Sequence, residues 1–234
     1  MLATFLRPFS DLFDLIYPRI CPACSRSRSV RNGLFCIDCL AVLPETGYHL
    51  VQDNPFERHF WGRIPLQAGA AYLFFIPGGR TQGLLHAIKY QGQRHVAEEI
   101  GRTYGRQLAA CSRFQNLDAI VPVPLHWRRQ HRRGFNQSAA FARGLGDALD
   151  VPVVVKALQR TRQTATQTRK SRLERIDNMQ AAFVLKQTGS IAGRHVLLVD
   201  DVLTTGATLE ACAQVLLALS GTKVSMVTIA CGRI

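Results

Sequence analysis

The chain has 234 residues, of which 47% are hydrophobic and 19% are charged. This composition excludes a wholly disordered chain, a collagen-like repeat and a coiled-coil rod, and the length suffices for one main domain with a small appended module. Lys and Arg together number 29 against 16 Asp and Glu, and the resulting formal net charge of +13 favours a polyanionic or phosphate-rich ligand.

The segment from Leu2 to Ile16 carries apolar residues at helical spacing. This pattern predicts an amphipathic helix that docks on the rest of the chain, with binding to a membrane surface as the alternative. Acidic residues interrupt the segment and no small-residue cleavage site follows, which argues against a signal peptide. No run of about 18 apolar residues is present, so we expect no membrane span and a cytoplasmic protein.

Four of the seven cysteines form two C-x2-C pairs, which are separated by eleven residues. Each pair places two thiolates on one turn, and together the pairs complete the tetrahedral four-sulfur shell that zinc prefers. The predicted ligands of a closed, structural zinc ion are Cys21, Cys24, Cys36 and Cys39. Two disulfides, free thiols or an iron-sulfur cluster are the alternatives. We expect a zinc module within residues 1–60 and a main domain over residues 61–234.

Beyond residue 60 the chain alternates between predicted strands and helices. Strands are predicted at 70–76, 118–123, 151–157, 182–185, 195–199 and 223–230, and helices at 81–90, 95–110, 136–149 and 207–219. A capping box at Ser171 predicts a further short helix. This alternation predicts an α/β fold with a doubly wound, mostly parallel sheet, in which ligands bind at the carboxyl ends of the strands.

The most informative segment is VLLVDDVLTTGAT at residues 196–208, where a buried strand ends in Asp200 and Asp201. A hydroxyl-rich loop with one glycine then opens directly onto a helix, whose free amides favour an anion. The carboxylates would accept hydrogen bonds from the vicinal hydroxyls of a ribose, while the loop holds a 5-phosphate. The predicted phosphate-binding residues are Thr204, Thr205, Gly206, Ala207 and Thr208. An Asp-Asp turn that merely caps a helix is the alternative.

This segment resembles the motif of type I phosphoribosyltransferases that binds 5-phosphoribosyl 1-diphosphate (PRPP). In that fold, residues 121–126 would form the first core strand and the pyrophosphate loop. Donors for the diphosphate would come from Arg128, Arg129, Arg132 and Arg133, with a solvated basic turn as the alternative. A magnesium ion would accompany the diphosphate. The basic stretch from Arg160 to Arg172 occupies the place of the family's mobile loop, and a disordered linker is the alternative reading.

Two further motifs, HAIKYQG at residues 86–92 and RRGFNQ at residues 132–137, extend the resemblance to nearly the whole chain. With the paired cysteines they resemble the ComF family, which includes ComFC and GntX-like proteins. The resemblance implies a zinc module fused to a phosphoribosyltransferase-like domain, linked in some members to competence and DNA uptake. Lys89 and Tyr90 match the family's lysine-tyrosine pair and are candidate PRPP-binding residues, although an amphipathic helix would also place Lys89 in water.

Two functions follow from these observations. An active phosphoribosyltransferase would let a nitrogen nucleophile displace pyrophosphate from C1 of PRPP, with Asp200 and Asp201 as the catalytic residues. A non-catalytic module would bind a nucleotide, single-stranded DNA or DNA-processing proteins through its basic surface.

Overall fold

A computed structural model describes residues 20–26, 34–161 and 182–233 of the chain. The predicted helix from Leu2 to Ile16, the capping box at Ser171 and nearly all of the basic stretch after Arg160 lie outside the described residues.

The described elements follow one another in the order expected of alternating strands and helices. The helices are α1 (Ile37–Val42), α2 (Pro55–Arg58), α3 (Arg80–Tyr90), α4 (Arg94–Ala109), α5 (Trp127–Arg133), α6 (Gln137–Leu149) and α7 (Ala207–Leu217). The strands are β1 (Leu66–Phe74), β2 (Ala119–Pro122), β3 (Leu158–Arg160), β4 (Phe183–Leu185), β5 (His195–Leu203) and β6 (Lys223–Cys231). None of the helices in the described ranges combines the length and apolar character that a membrane crossing requires.

The main sheet has four parallel strands in the order β1-β6-β5-β2, and β3 and β4 form a separate antiparallel pair. Alternate residues of β5 belong to two different hydrophobic clusters. Leu197 and Val199 lie in a cluster with residues of α3, α4 and α6, and Val196 and Leu198 lie in a cluster with residues of α2 and α7. Because neighbouring side chains of a strand point to opposite faces, helices cover both faces of the sheet. The predicted α/β fold with a doubly wound, mostly parallel sheet is confirmed.

The predicted strand at 151–157 is wrong. Only Val153 forms a bridge, to Ile120 of β2, and the flanking chain adds one hydrogen bond on each side of it. Pro152 lacks the N–H that a continuous strand would need, so this segment covers the edge of β2 without becoming a strand. Strand β3 begins where the predicted strand ends. The sequence analysis also missed α5, which carries the arginine cluster.

Helices α4 and α6 pack at an unusually close distance because glycines line their contact. A Cβ atom on Gly144 would lie 1.8 Å from the carbonyl oxygen of Glu98, and one on Gly101 would lie 2.3 Å from that of Phe141. Only glycine allows backbones to approach this closely. The contact fixes the position of α6, whose first turn enters the candidate site described below.

The chain between the cysteines and β1 packs against the sheet. The Thr46 N–H donates to the Tyr72 carbonyl at 3.0 Å, and the Phe74 N–H donates to the Pro44 carbonyl at 2.8 Å. Phe56 is fully buried in the core cluster that α7 completes. This segment therefore covers the outer edge of β1, and the division of the chain after residue 60 stays a prediction.

Candidate functional site

Two adjacent carboxylates lie near the carboxyl end of β5, which extends to Leu203 and so runs further than the predicted end at Val199. Asp200 Oδ1 accepts hydrogen bonds from Ser138 Oγ and from the Asp201 backbone N–H, both at 2.8 Å. Burial and the charge of Asp201 raise the pKa of Asp200 to about 7, against the opposing effect of its hydrogen bonds and of Lys89. Asp200 can therefore gain or lose a proton near neutral pH.

The second carboxylate is paired with a lysine from another element. Lys89 Nζ lies 3.0 Å from Asp201 Oδ2, and the two side chains are 23% and 17% exposed. Lys89 occupies the last turn of α3, where the helix dipole favours a cation. The structure thus brings together a residue of the HAIKYQG motif and the acidic pair, which lie more than a hundred residues apart in the sequence.

Tyr90, the next residue, is 61% exposed and contacts one aromatic ring and one guanidinium group. The His86 ring lies 4.8 Å from the Tyr90 ring, and the Arg133 guanidinium lies 5.6 Å above it. Arg133 Nη1 donates to Gln137 Oε1 at 3.1 Å, one residue before Ser138. Within the described ranges the buried Arg133 Nε has no hydrogen-bond partner.

The four predicted arginines lie on α5, and the side chains of Arg128, Arg132 and Arg133 have different surroundings. Arg128 stacks over the exposed Trp127 ring at 5.1 Å, and Arg132 is exposed to solvent. Arg133 contacts Tyr90 and Gln137, as described above. Arg129 belongs to the same helix. The helix therefore directs Arg133 to Tyr90 and Gln137, whereas Arg128 is exposed.

The segment from Thr204 to Thr208 comprises the loop after β5 and the first two residues of α7. Gly206 adopts a φ of 73° at the start of the helix, and no side chain of the described residues caps the first turn. Thr204 and Thr205 are exposed. Because the first amides of a helix have no partner within it, this turn offers N–H donors and hydroxyls on one side.

A segment that the sequence analysis did not assign to the site lies beside this loop. His59 Nε2 is 3.0 Å from the Thr205 carbonyl oxygen. Arg63 Nη1 lies 2.6 Å from Glu210 Oε2, in the first turn of α7. The chain between α2 and β1 is thereby joined to both the loop and the helix that follows it.

The four N-terminal cysteines form one compact cluster. Their sulfur atoms all lie within 4.8 Å of one another, and Cys24 Sγ and Cys36 Sγ are 3.9 Å apart. A tetrahedral zinc ion with bonds of about 2.3 Å requires sulfur separations of about 3.8 Å, so the residues fit a metal of that kind. Hydrogen bonds, led by the Cys39 backbone N–H, lower the pKa of Cys36 to about 7, whereas burial raises the pKa of Cys39. The cluster could hold a metal ion.

The cysteine cluster is seated on α3. A Cβ atom on Gly83 would lie 2.7 Å from the Ala23 carbonyl oxygen, within the turn between Cys21 and Cys24. This helix therefore contacts the cluster near its start, at Gly83, and the acidic pair through Lys89 at its end.

Comparison of this chain with known proteins identifies its family. The family model for the phosphoribosyl transferase domain matches residues 132–233, a range that includes Ser138, both acids and the loop after β5. DNA utilization protein YhgH of Escherichia coli (strain K12) is 35% identical over 201 residues, which cover 85% of this chain and 84% of the relative. Competence protein F of Haemophilus influenzae is 34% identical over 137 residues, 57% of this chain and 60% of the relative. Competence protein ComFC of Bacillus subtilis is 26% identical over 198 residues, 85% of this chain and 71% of the relative. The chain belongs to the ComF family.

Two residues of this ComF family site were missed by the sequence analysis. Ser138 follows directly after the RRGFNQ motif, so its position at the start of a helix was a signal that could have been used. His59 stands outside every motif, and its contact with Thr205 spans 146 positions of the chain. The roles of the predicted site residues themselves stay predictions.

Proposed function

We propose that the chain binds PRPP at the carboxyl edge of its sheet. The observation that carries this proposal is the pair Asp200 and Asp201 near the end of β5, followed by a short loop and an uncapped helix start at Gly206. Carboxylates accept hydrogen bonds from vicinal hydroxyls, and the open amides and hydroxyls of residues 204–208 suit a 5-phosphate. A ribose 5-phosphate unit carries vicinal hydroxyls and a phosphate on one sugar. It would therefore use the carboxylates and the phosphate-binding segment together.

The diphosphate would lie on the side of Lys89 and Arg133. Lys89 already contacts Asp201, and the buried Arg133 Nε lacks a partner within the described residues. Tyr90 would hold the Arg133 guanidinium in place through their contact at 5.6 Å. Magnesium would neutralise charge on the bound diphosphate, and oxygen ligands of the kind that Asp200 and Asp201 offer suit this ion. Arg128, Arg129 and Arg132 would extend the basic surface next to it.

The reaction that this arrangement supports is phosphoribosyl transfer. A nitrogen nucleophile forms a bond to C1, the bond between C1 and the diphosphate oxygen breaks, and pyrophosphate leaves with the electron pair. Asp200 and Asp201 would hold the hydroxyls and stabilise the positive charge that develops on the ring. Lys89 would keep Asp201 oriented through their contact at 3.0 Å while this happens.

The proposed metal of the cysteine cluster is a structural zinc ion bound by Cys21, Cys24, Cys36 and Cys39. Four thiolates leave no coordination position for a substrate. None of the described cysteines takes part in a disulfide, which supports the cytoplasmic location that we propose.

The relatives are named for competence and DNA utilization. We therefore propose a role in DNA handling, and a second candidate function is a module that binds nucleotide, single-stranded DNA or a protein of DNA processing. The exposed Trp127 with Arg128 stacked on it favours this alternative, because nucleic-acid bases stack on such rings beside cations.

The first test is calorimetric titration of PRPP with magnesium into the metal-loaded chain. We expect saturable binding that is lost in the double variant Asp200→Asn, Asp201→Asn. The matched control is Asp150→Asn, because Asp150 is exposed and its φ of 55° is one that asparagine also adopts. Absence of binding to folded wild-type protein would contradict PRPP recognition.

The same variants separate the two functions. If single-stranded DNA is the ligand, binding survives the double Asp variant and falls when Arg128 and Trp127 are replaced by alanine. If PRPP is the ligand, the pattern is reversed.

A further inference from the structure

The chain between α2 and β1 holds one peptide of residues 204–208, here called the phosphate loop, in a defined orientation. His59 Nε2 lies 3.0 Å from the carbonyl oxygen of Thr205. A carbonyl oxygen can only accept, so Nε2 carries the proton and donates. The hydrogen bond therefore directs this carbonyl toward His59.

His59 is itself fixed by its neighbours. Its ring meets the fully buried Phe60 ring edge-on, with centroids 5.2 Å apart and planes at 82°. The Arg63 guanidinium donates to the His59 backbone carbonyl and pairs with Glu210 at 2.6 Å. The imidazole thus stands on a segment that is attached to the core and to α7.

The space beside the loop is already filled by this segment. A Cβ atom on Gly206 would lie 2.8 Å from His59 Nε2 and 3.1 Å from Phe60 Cε1. Gly206 also has a φ of 73°, a conformation that favours glycine. The loop therefore meets His59 on one side, and its residues Thr204 and Thr205 are exposed.

The carbonyl of Thr205 and the N–H of Gly206 belong to the same peptide unit. In a trans peptide these two groups point in opposite directions. When His59 holds the carbonyl on its own side, the Gly206 N–H is directed to the opposite side of the loop. Rotation of this peptide would instead place a carbonyl oxygen, with its partial negative charge, where an anion is to bind.

We infer that His59 is a positioning residue, which fixes the Thr205–Gly206 peptide so that the Gly206 N–H donates to the 5-phosphate of the ligand. This inference rests on the proposed function and goes beyond it. It makes recognition of the phosphate monoester depend on a residue that lies outside every motif of the sequence. His59 acts through the loop, and recognition of the diphosphate on the side of Lys89 does not depend on it.

The test compares two variants against two ligand probes. His59→Phe keeps a ring of similar size but removes the donor, while His59→Gln keeps an N–H donor. We expect His59→Phe to weaken ribose 5-phosphate and PRPP about tenfold, which corresponds to about 1.4 kcal/mol. Inorganic pyrophosphate should bind as it does to the wild type, and His59→Gln should recover most of the lost affinity. The melting temperature of each variant is measured in parallel to show that it is folded.

The Arg63→Met variant provides a second route to the same answer. It removes the attachment of the segment to Glu210 and leaves the imidazole in place, so we expect a smaller loss of ribose 5-phosphate affinity with the same indifference to pyrophosphate. Unchanged ribose 5-phosphate affinity in His59→Phe, or an equal loss for pyrophosphate, would overturn the inference alone. A folded wild type that binds neither PRPP nor ribose 5-phosphate would overturn the proposed function, and the inference with it.

Discussion

Ser138 donates a hydrogen bond to Asp200 at 2.8 Å, and this contact joins the first turn of α6 to the carboxyl end of β5. The bond is partly buried, because Ser138 is almost fully buried while Asp200 is half-buried. It stabilises the ionised form of Asp200, whereas burial and the neighbouring charge of Asp201 disfavour that form. The balance of these effects gives the carboxyl its pKa of about 7.

The affinity for PRPP should rise with pH up to about 7. The free protein holds a proton on Asp200 below that pH, and only the ionised carboxylate accepts hydrogen bonds on both oxygens. Binding therefore favours the ionised form and releases a proton below pH 7. Calorimetry in buffers of different ionisation enthalpy measures this release directly.

Two substitutions should move this pH dependence in opposite directions. Ser138→Ala removes a donor that favours the carboxylate, so the midpoint should shift to higher pH. Asp201→Asn removes the repelling charge, so the midpoint should shift to lower pH, whatever its effect on affinity. Shifts in the same direction, or none, would contradict the origin of the pKa that we assign to Asp200.

Removal of the lysine beside Asp201 should weaken PRPP binding. Lys89→Met leaves the carboxylate without its partner at 3.0 Å and removes a cation from the proposed diphosphate side. A hydrogen bond between charged groups contributes about 1.5–3 kcal/mol, so we expect a loss of at least about tenfold. Lys156→Met is the control, because Lys156 is exposed. Equal affinities of the two variants would show that Lys89 has no part in binding.

A side chain at position 206 should disable the phosphate loop. Gly206→Ala forces a left-handed conformation on alanine, which costs about 1–2 kcal/mol, and brings its Cβ against His59. We expect a lower melting temperature and loss of ribose 5-phosphate binding. Gly189→Ala should match the wild type in both measurements, because nothing lies within 4 Å of the added Cβ. The loop assignment fails if Gly206→Ala retains full affinity for ribose 5-phosphate.

Elemental analysis should find one zinc ion per chain. Cys36→Ser should lower both the zinc content and the melting temperature, because metal binding stabilises small modules of this kind. Cys111→Ser should keep the zinc, since Cys111 lies in the main core and is not among the four clustered thiols. Stoichiometric zinc in Cys36→Ser, or its absence from the wild type, would refute the proposed centre.

The sequence was informative where the signal is local. The four apolar residues before Asp200 and the glycine at 206 predict a strand, a turn and a helix within a short range, and the structure has all three. Helix α5 was missed because its seven residues, WRRQHRR, show no apolar periodicity. Its ends are set by the His126 side chain, which accepts from the Arg128 N–H, and by Gly134 at a φ of 79°.

The remaining differences between the sequence prediction and the structure arise from contacts between residues that are distant in the chain. The apolar run at 151–157 has the composition of a strand, but Pro152 and its place beside β2 decide otherwise. The contact of His59 with Thr205 has no counterpart in the local sequence, since it depends on how the chain before β1 packs on α7. Such pairs are determined by tertiary packing and become visible only in the folded protein.

The close approach of Gly83 to the Ala23 carbonyl has a consequence for how sequences of this family can diverge. Position 83 lies in the interior of α3, where alanine would be the better helix former, so the glycine is required by the cysteine turn and not by the helix. In a relative that has lost the paired cysteines, this constraint disappears. Replacement of the glycine should therefore accompany loss of the cysteines across the family, while Lys89, two turns further along the same helix, should be retained in both groups.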